Sequence, residues 1–374
     1  MPPSPMTPRR TFAPALIFFG ICPTRVSKKK VPGQRKIGKF SSTASLARFL
    51  GLSRWTVSRA LNGRGGVGDS TVRRVVETAA RHGFAPSALG RGLRAGVTPF
   101  IGLCVPGIED YSLSGKISMF QDLIGAQGLD PIFQITDGTR ESEERALARF
   151  SAMRCRGLVT FASRIPPERV VRVAEGISNL VRVDPVVAPA AAGSVSTDRS
   201  RAMAEAIGHL DSLGHRSACI AGIREGDAYA ASRLAGLKTS ASGAGWRERS
   251  LVCLDVEDRE EDFAFGRALA GAYLTLGSRR PRAIVAVNDR VAFAMLMVLA
   301  EAGCVAPGDY SIVGYENTPL SKISSTPLTT IDPHAAELVA AAGHMLFATG
   351  LQRSRVIAPR LVVRESTGPP PVRC

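Results

Sequence analysis

The sequence predicts a small all-α head followed by a larger α/β body of doubly wound parallel sheets. Two observations predict this division. Residues 42–71 have the pattern of two short helices joined by a tight turn. From Phe100 onwards, short apolar runs alternate with amphipathic helices, which is the rhythm of parallel βαβ units. A chain of 374 residues, 45% of them hydrophobic, is long enough to bury a core in each part.

The first two predicted helices form a helix-turn-helix. Gly51 can adopt the left-handed conformation that the turn requires, and Ser53 is a natural N-cap for the second helix. The apolar positions recur at helical spacing and are Leu46, Ala47 and Leu50 in the first helix and Val57, Ala60 and Leu61 in the second. The residues that this leaves facing outward on the second helix are Arg54, Trp55, Ser58, Arg59 and Asn62. Long donor side chains on a free helix face predict a surface that reads duplex DNA.

The positive charge lies at the same end of the chain. Residues 1–98 contain 18 Lys and Arg residues and two acidic residues, so they carry the whole net charge of +16. The remainder has 30 residues of each sign and is neutral. Such asymmetry is typical of a nucleic-acid-binding surface joined to an unrelated soluble body.

A third helix and a linker follow the helix-turn-helix. The third helix begins at Asp69 or Ser70 and ends at Gly83, and its apolar face consists of Val72, Val75, Val76, Ala79 and Ala80. Pro86 can begin a further short helix that Gly96 ends, but two internal glycines make that helix marginal on its own. A segment that becomes helical only when bound and a simple linker both remain open.

The body shows seven candidate strands, at residues 100–106, 130–136, 157–163, 179–184, 217–223, 283–289 and 310–316. Candidate helices lie between them at residues 117–128, 141–153, 199–213, 262–276 and 290–303. Ligands of such folds bind beyond the carboxyl ends of the strands. The chain has polar residues at those places, namely Asp110, Ser163, Arg164, Asn288, Asp289, Glu316 and Asn317.

Two features bear on location. The seven cysteines are scattered without a CxxC pair, which favours a reducing cytoplasm over a disulfide framework or a zinc site. Residues 13–22 are apolar and follow two arginines like a weak signal sequence, but they are too few to span a bilayer. We therefore expect residues 1–40 to be a basic, disordered extension or a stretch upstream of the true start, and we expect no membrane partner.

Seven motifs in one order carry a resemblance to the LacI/GalR family of bacterial repressors. They are SRWTVSRALNG, GFAPSALGRGLRAG, SLGHR, RLAG, VNDRVAFA, DYSIVGYEN and PLTTI. The resemblance implies a head at residues 41–85, a hinge helix at 86–97, a two-lobed, periplasmic-binding-protein-like sensor at 98–366 and a tail at 367–374. It also implies three crossings between the lobes, near Thr197, Ser325 and Arg353. The implied assembly is a homodimer on a pseudo-palindromic double-stranded operator, with a small effector between the lobes.

The resemblance assigns roles to the reading helix. Arg54 and Trp55 match the variable pair that reads base edges, and Arg59 matches a position that often contacts guanine through a bidentate fork. The supporting positions, which cap the helix or contact phosphate, are Ser53, Thr56, Ser58 and Asn62. Trp55 is unusual, and both contact with a thymine methyl and packing over the core of the head remain open.

The hinge also has a family counterpart. Leu93 matches the leucine that wedges into the minor groove, and Arg94 matches the basic residue beside it. Gly90 and Gly92 depart from the small residues that the family commonly has, and each weakens the hinge helix by about 1 kcal/mol relative to Ala.

In the sensor, Arg233 matches the arginine that holds effector oxygens and Asp289 matches the acid that takes paired hydroxyls. Together they suit a polyol. A salt bridge on the lobe surface and a helix N-cap are the structural alternatives for these two residues. The full predicted effector set is Asp110, Tyr111, Ser163, Arg233, Arg259, Asn288 and Asp289. Arg259 stands where many members stack an aromatic ring, which favours a sugar acid or another anion over a neutral hexose.

The sequence therefore predicts a cytoplasmic, nucleoid-associated transcriptional regulator, a repressor controlled by a sugar or sugar derivative. Whether the effector releases the operator or is required for it stays open. A solute-binding protein with the same sensor fold is the alternative, but it would need a cleavable signal and no basic head. No catalytic motif or cofactor site is recognised, so we do not expect an enzyme. The tail has no heptads, which favours a dimer over a tail-bundled tetramer.

Overall fold

The computed structural model describes residues 40–63, 65–85, 96–107, 111–177, 179–188, 191, 193–223, 226, 229–256, 262–350 and 352–371. The chain divides after Pro86 into two compact units, which are called here the head and the body. Within the described part of the chain, no helix is both long and apolar enough to cross a membrane.

The head consists of α1 (Thr43–Leu50), α2 (Arg54–Leu61) and α3 (Asp69–Arg81). A reciprocal capping box begins α1, in which the Ser42 hydroxyl accepts from the Ser45 amide at 3.2 Å and the Ser45 hydroxyl accepts from the Ser42 amide at 3.1 Å. Gly51 ends α1 at a φ of +67°, and this left-handed residue turns the chain towards α2. The predicted helix-turn-helix is confirmed.

The core of the head differs from the prediction in two places. Fewer residues of α3 are buried than predicted, and the core also includes a residue before α1. Val75 and Ala79 of α3 are buried, whereas Val76 and Ala80 are exposed because only one narrow stripe of α3 meets α1 and α2. Phe40 is buried, and its ring lies 5.0 Å from that of Phe49 and 5.1 Å from that of His82. The packed head therefore includes residue 40.

The body contains two parallel sheets with helices between the strands. The strands are β1 (Phe100–Val105), β2 (Asp130–Ile135), β3 (Gly157–Phe161), β4 (Asn179–Val183), β5 (Ser194–Thr197), β6 (Ala218–Ala221), β7 (Leu251–Leu254), β8 (Ala283–Ala286), β9 (Ser311–Tyr315), β10 (Thr329–Asp332), β11 (Arg355–Ile357) and β12 (Arg360–Val362). The helices are α4 (Tyr111–Ala126), α5 (Arg140–Ala152), α6 (Pro167–Val173), α7 (Arg199–Ser212), α8 (Ala230–Gly243), α9 (Asp262–Thr275), α10 (Asp289–Glu301), α11 (Leu320–Ile323) and α12 (Ala335–Phe347).

Each sheet is the centre of one lobe. The strand order is β11-β5-β4-β3-β1-β2 in lobe 1 and β12-β10-β9-β8-β6-β7 in lobe 2. The recorded pairings are parallel except between β10 and β12, which are antiparallel. The predicted pair of doubly wound parallel-sheet lobes is confirmed.

Three short crossings join the lobes, at Asp198, at residues 333–334 and at residues 358–359. The first was predicted correctly. The second and third lie later than the expected Ser325 and Arg353, because the chain completes β10 in lobe 2 and β11 in lobe 1 before it crosses. The Asp198 amide donates to the Ile357 carbonyl at 2.9 Å, and His334 Nδ1 lies 2.9 Å from the Ala358 carbonyl oxygen. These contacts tie the three crossings together.

Close packing in lobe 2 explains the last residue of the RLAG motif. A Cβ on Gly236 would lie 2.4 Å from the Ser200 carbonyl oxygen, so only glycine lets α8 approach α7 this closely. The same core buries Trp246, whose indole N–H donates to Asp211 Oδ1 at 2.7 Å. Gly236 and Trp246 therefore hold α8 close against α7.

The carboxyl-terminal residues extend lobe 2. The Gly368 amide donates to the Ser311 hydroxyl at 3.0 Å, and its carbonyl lies 3.0 Å from His215 Nε2. His209 Nε2 lies 2.9 Å from the Thr367 hydroxyl. Burial lowers the pKa of both histidines. Residues 367–368, which the sequence assigned to a tail, thus pack on the lobe.

Candidate functional sites

The first site is the free face of α2 in the head. The Ser53 hydroxyl accepts from the Thr56 amide at 3.0 Å and begins the helix. Val57 and Ala60 are buried, which leaves the opposite face free. The residues predicted to contact DNA divide into an exposed set, Ser53, Arg54, Trp55 and Asn62, and a half-buried set, Thr56, Ser58 and Arg59.

Trp55 and Arg59 pack on each other at the surface. The Trp55 side chain is 60% exposed and does not belong to the core of the head. The Arg59 guanidinium lies 4.8 Å from the centre of its ring and donates through Nε to the Gly65 carbonyl at 2.6 Å. Trp55 is therefore available to a ligand, whereas Arg59 would have to leave Gly65 to reach a base.

The polar residues around this pair support the helix. Asn62 ends α2 and donates from Nδ2 to the Ser58 carbonyl at 2.6 Å. The Thr56 and Ser53 hydroxyls lie 2.8 Å apart. Leu93 and Arg94, the predicted minor-groove residues, lie outside the described residues.

The second site is a cavity between the two lobes, at the carboxyl ends of their strands. Its volume is about 290 Å³. Lobe 1 contributes the ends of β1, β3, β4 and β5 and the first turns of α4, and lobe 2 contributes the ends of β8 and β9 and the starts of α7 and α8. This is the placement that parallel sheets predict.

Two of the predicted effector residues, Arg233 and Asn288, line this cavity. Arg233 is 9% exposed, donates from Nη1 to the Val287 carbonyl at 3.0 Å and lies 4.4 Å from the ring centre of Tyr315. Burial lowers the pKa of Arg233. Asn288 caps α10, since its Oδ1 accepts from the Val291 amide at 2.9 Å. The surface salt bridge considered for Arg233 does not occur among the described residues.

Asp289 is placed differently from the prediction, behind the cavity wall. It is fully buried, and its Oδ1 accepts from the Thr330 hydroxyl at 2.5 Å. Its Oδ2 accepts from the amide and the hydroxyl of Thr318 at 2.8 and 3.0 Å. Burial raises the pKa of Asp289 to about 6, although these hydrogen bonds oppose the shift. Asp289 ties α10 to the ends of β9 and β10, and the N-cap considered for it is Asn288.

The remaining predicted effector residues do not all reach the wall. Ser163 is fully buried, and its hydroxyl accepts from the Ile165 amide at 3.3 Å, which shapes the turn after β3. Tyr111 is the first residue of α4, two residues before Leu113 on the wall. Asp110 and Arg259 lie outside the described residues.

The structure adds a buried charge cluster that the sequence interpretation missed. Asp184 lies 2.8 Å from the Arg199 guanidinium and 3.3 Å from the Lys116 ammonium. The Thr197 amide also donates to Asp184 at 2.9 Å. Burial opposes ionisation of Asp184, but Arg199 and Lys116 outweigh burial and hold its pKa at about 2. Asp184 ends a predicted strand, so the rule that selected Asn288 could have found it.

Tyr229 joins the cluster to lobe 2. Its hydroxyl donates to the Asp184 carbonyl at 2.6 Å, and the Arg199 guanidinium lies 3.7 Å from its ring centre. Tyr229 caps α8 at a φ of +66°, a left-handed conformation that is costly for an aromatic residue. No sequence signal would have selected this residue, because it lies 45 residues after Asp184 and in the other lobe.

Comparison with known proteins agrees with this architecture. The model of the periplasmic binding protein-like domain matches residues 207–367. The regulator DegA of Bacillus subtilis is 27% identical over 338 residues, which cover 87% of this chain and 97% of DegA. Catabolite control protein A of Priestia megaterium is 24% identical over 288 residues, which cover 76% of this chain and 85% of that protein.

Solved structures show the same fold. The lac repressor dimer bound to operator and the anti-inducer ONPF superposes with a TM-score of 0.75 at 20% identity, covering 86% of this chain and 98% of that one. The complex of the transcriptional regulator CelR with cellobiose gives a TM-score of 0.61 at 19% identity, covering 87% of this chain and 100% of that one. The head and the two-lobed body thus occur together in known proteins.

Proposed function

We propose that this chain, a member of the LacI/GalR family of bacterial transcriptional regulators, represses transcription by binding a specific operator under the control of a small effector. One observation carries the proposal: a basic head presents the exposed face of α2, in the same chain as a body with an interlobe cavity. The relatives are regulators and not enzymes, and we propose the same for this chain, in the cytoplasm.

In the proposed complex, the start of α2 enters the major groove. Arg54 and the exposed Trp55 reach base edges first, and Arg59 follows when a guanine replaces the Gly65 carbonyl as its acceptor. Ser53, Thr56, Ser58 and Asn62 support the contact to the phosphates. The charge of +16 on residues 1–98 adds a salt-dependent attraction for any duplex. We propose Leu93 and Arg94 as the minor-groove contacts.

The effector is proposed to bind between the lobes, where Arg233 and Asn288 line the wall. Asp110, Tyr111 and Arg259 are proposed to border the entrance. A ligand that favours one arrangement of the lobes shifts the population of that arrangement, and with it the affinity for the operator. The name of CelR's ligand, cellobiose, supports a sugar or sugar derivative as the effector.

We further propose a homodimer, as in the lac repressor structure. Lobe 2 exposes large apolar side chains that a monomer would leave in water, among them Met297, Leu320 and Ile323. A second copy would cover such a surface.

The decisive experiment selects binding sites from random double-stranded oligonucleotides with the full-length protein at physiological salt. We expect one enriched pseudo-palindrome. Arg54→Ala should weaken binding to it by about 1–3 kcal/mol and relax one base pair in each half-site. Arg81→Ala, which removes an equal charge from the end of α3, should weaken all duplexes alike. A chain that binds small molecules but shows no preference among duplexes would be a solute-binding protein, and the proposal would fail.

A further inference from the structure

The interlobe cavity carries more positive than negative charge. Among the described residues on its wall, Lys116, Arg199 and Arg233 are positive, whereas Asp184 and Glu316 are negative. The described part of the wall therefore has a net charge of +1. Because this charge is largely withdrawn from water, it acts on a ligand more strongly than a surface charge would.

Two of the three cations share one carboxylate. Asp184 accepts from Lys116 at 3.3 Å and from Arg199 at 2.8 Å, and the three side chains are at most 13% exposed. One negative charge cannot neutralise two positive charges. The cluster of Lys116, Arg199 and Asp184 thus leaves one positive charge beside the cavity, where the two lobes meet.

The third cation, Arg233, makes no ion pair within 4 Å among the described residues, although the Glu316 carboxylate attracts it from a longer distance and acts to raise its pKa against the effect of burial. Its Nη1 donates to the neutral Val287 carbonyl, and its buried Nε lacks a hydrogen-bond partner within the described chain. A buried guanidinium without a carboxylate in direct contact is costly. An anionic ligand would remove this cost and gain charge-assisted hydrogen bonds.

The two tyrosines of the wall are already engaged by cations, and the third aromatic residue, Phe161, is only 4% exposed and packs on Phe120. The Arg199 guanidinium lies 3.7 Å from the ring centre of Tyr229, and the Arg233 guanidinium lies 4.4 Å from that of Tyr315. One face of each tyrosine is therefore covered by a charged group. This wall is better suited to recognising charge than to stacking on a neutral ring.

We propose that the effector is a small, hydroxylated carboxylic acid with a single negative charge, a sugar acid, whose carboxylate binds the Nε edge of Arg233. Its hydroxyls would bind Thr197, whose buried hydroxyl lacks a partner among the described residues, and Asn288. A monoanion matches the net charge of the wall, whereas a phosphate monoester brings a charge of about −1.5 to −2. A volume of about 290 Å³ also favours a single sugar unit over a disaccharide. This inference rests on the proposed function and names its ligand class.

The test is calorimetric titration of the full-length protein with matched ligands. The panel contains glucose, galactose and mannose, the uronic acid of each, and the 6-phosphate of each. We expect at least one acid to bind about tenfold more tightly than both its neutral parent and its phosphate. The advantage over the neutral parent should shrink as salt is added. The proposal is overturned if a neutral sugar or a phosphate binds best, or if no acid binds.

Three variants identify the charge that matters. Arg233→Gln should abolish the preference for the acid over its neutral parent. Lys116→Met, which leaves the Asp184–Arg199 pair in place, should reduce the preference several-fold and remains informative if the first variant does not fold. Lys238→Met removes an exposed charge from the same helix as Arg233 and should leave the preference unchanged. A preference that survives in both Arg233→Gln and Lys116→Met contradicts the proposal.

DNA selection separates this inference from the proposed function. An enriched operator together with tight binding of neutral sugars would leave the regulator intact and overturn the sugar acid. Tight binding of an acid without any preference among duplexes would support the sugar acid and overturn the proposed regulator.

Discussion

At the scale of single residues, Asp289 shows how a family position can serve the fold. Its two oxygens accept three hydrogen bonds from Thr318 and Thr330, and the residue does not line the cavity. A Cβ on Gly314 would lie 2.4 Å from Asp289 Oδ1, so this position of β9, beside the carboxylate, must be glycine. The acid thus fixes the start of α10, and the neighbouring Asn288 faces the cavity.

The pKa of Asp289 makes a prediction about stability. The folded chain holds its pKa at about 6, above the ordinary value of 3.8, so the folded state binds this proton more tightly than the unfolded state does. The contribution of Asp289 to stability is therefore greatest below about pH 4 and falls as the pH rises to about 6. Two pKa units correspond to about 3 kcal/mol.

We expect Asp289→Asn to remove this pH dependence. The amide oxygen of asparagine can accept from the Thr318 amide, and its NH₂ group can donate to the Thr330 hydroxyl, so the hydrogen bonds are retained without a buried charge. Urea unfolding of the full chain between pH 4 and 7, followed by circular dichroism, should show a flatter profile for the variant and equal or greater stability at pH 7. An identical slope in both proteins would contradict this account.

At the scale of elements, the contact between α9 and α10 depends on one glycine. A Cβ on Gly266 would lie 2.6 Å from the Ala294 Cβ and 2.9 Å from the Val291 carbonyl oxygen. Gly271 lies in the same helix, and a Cβ there would meet nothing within 4 Å. Substitution at Gly271 therefore tests helix propensity alone, whereas substitution at Gly266 also tests the packing of α9 on α10.

We expect opposite effects from alanine at these two positions. Gly266→Ala should lower the stability of the body by about 1–3 kcal/mol because it forces the helices apart. Gly271→Ala should raise it by up to about 1 kcal/mol because alanine favours the helix. Thermal unfolding followed by circular dichroism measures both. Equal effects would mean that the contact is not close-packed.

At the scale of the whole body, the Tyr229 hydroxyl links the lobes across the cavity, beside the Arg199–Asp184 ion pair. Tyr229 of lobe 2 donates to the Asp184 carbonyl of lobe 1, whereas Tyr273 makes a similar bond to Pro281 within lobe 2, at 2.7 Å. Removal of the first hydroxyl should loosen the lobes against each other. Removal of the second should affect lobe 2 alone.

Hydrogen exchange tests this difference. We expect Tyr229→Phe to speed amide exchange at Asp184 and Thr197 by about 2–10-fold, the effect of one lost hydrogen bond. Tyr273→Phe should leave these two amides unchanged. If both variants behave alike at these amides, the Tyr229 contact does not restrain the lobes.

Much of the fold was predictable because local patterns determine it. All seven strands expected from apolar runs are present, and the five expected helices agree to within a few residues except at the start of α4. The strands that escaped prediction are short or polar, such as β10, TTID, and β11 and β12, which have three residues each. Their pairing is decided by partners distant in sequence, which no local pattern records.

The site was less predictable for the same reason. Asn288 and Arg233 could be selected from a strand end and a motif, and both line the cavity. Lys116 lies within a helix and Arg199 begins one, so nothing local distinguishes them from solvated charges. Only the fold brings them to Asp184.

The chain has two tryptophans, and each lies in a different unit. Trp55 is largely in contact with water on α2, whereas Trp246 is enclosed in lobe 2. Their emission maxima should therefore differ, with that of Trp55 at the longer wavelength. One emission spectrum of the unlabelled protein would then report ligand binding to the head through Trp55. The same spectrum would report unfolding of lobe 2 through Trp246.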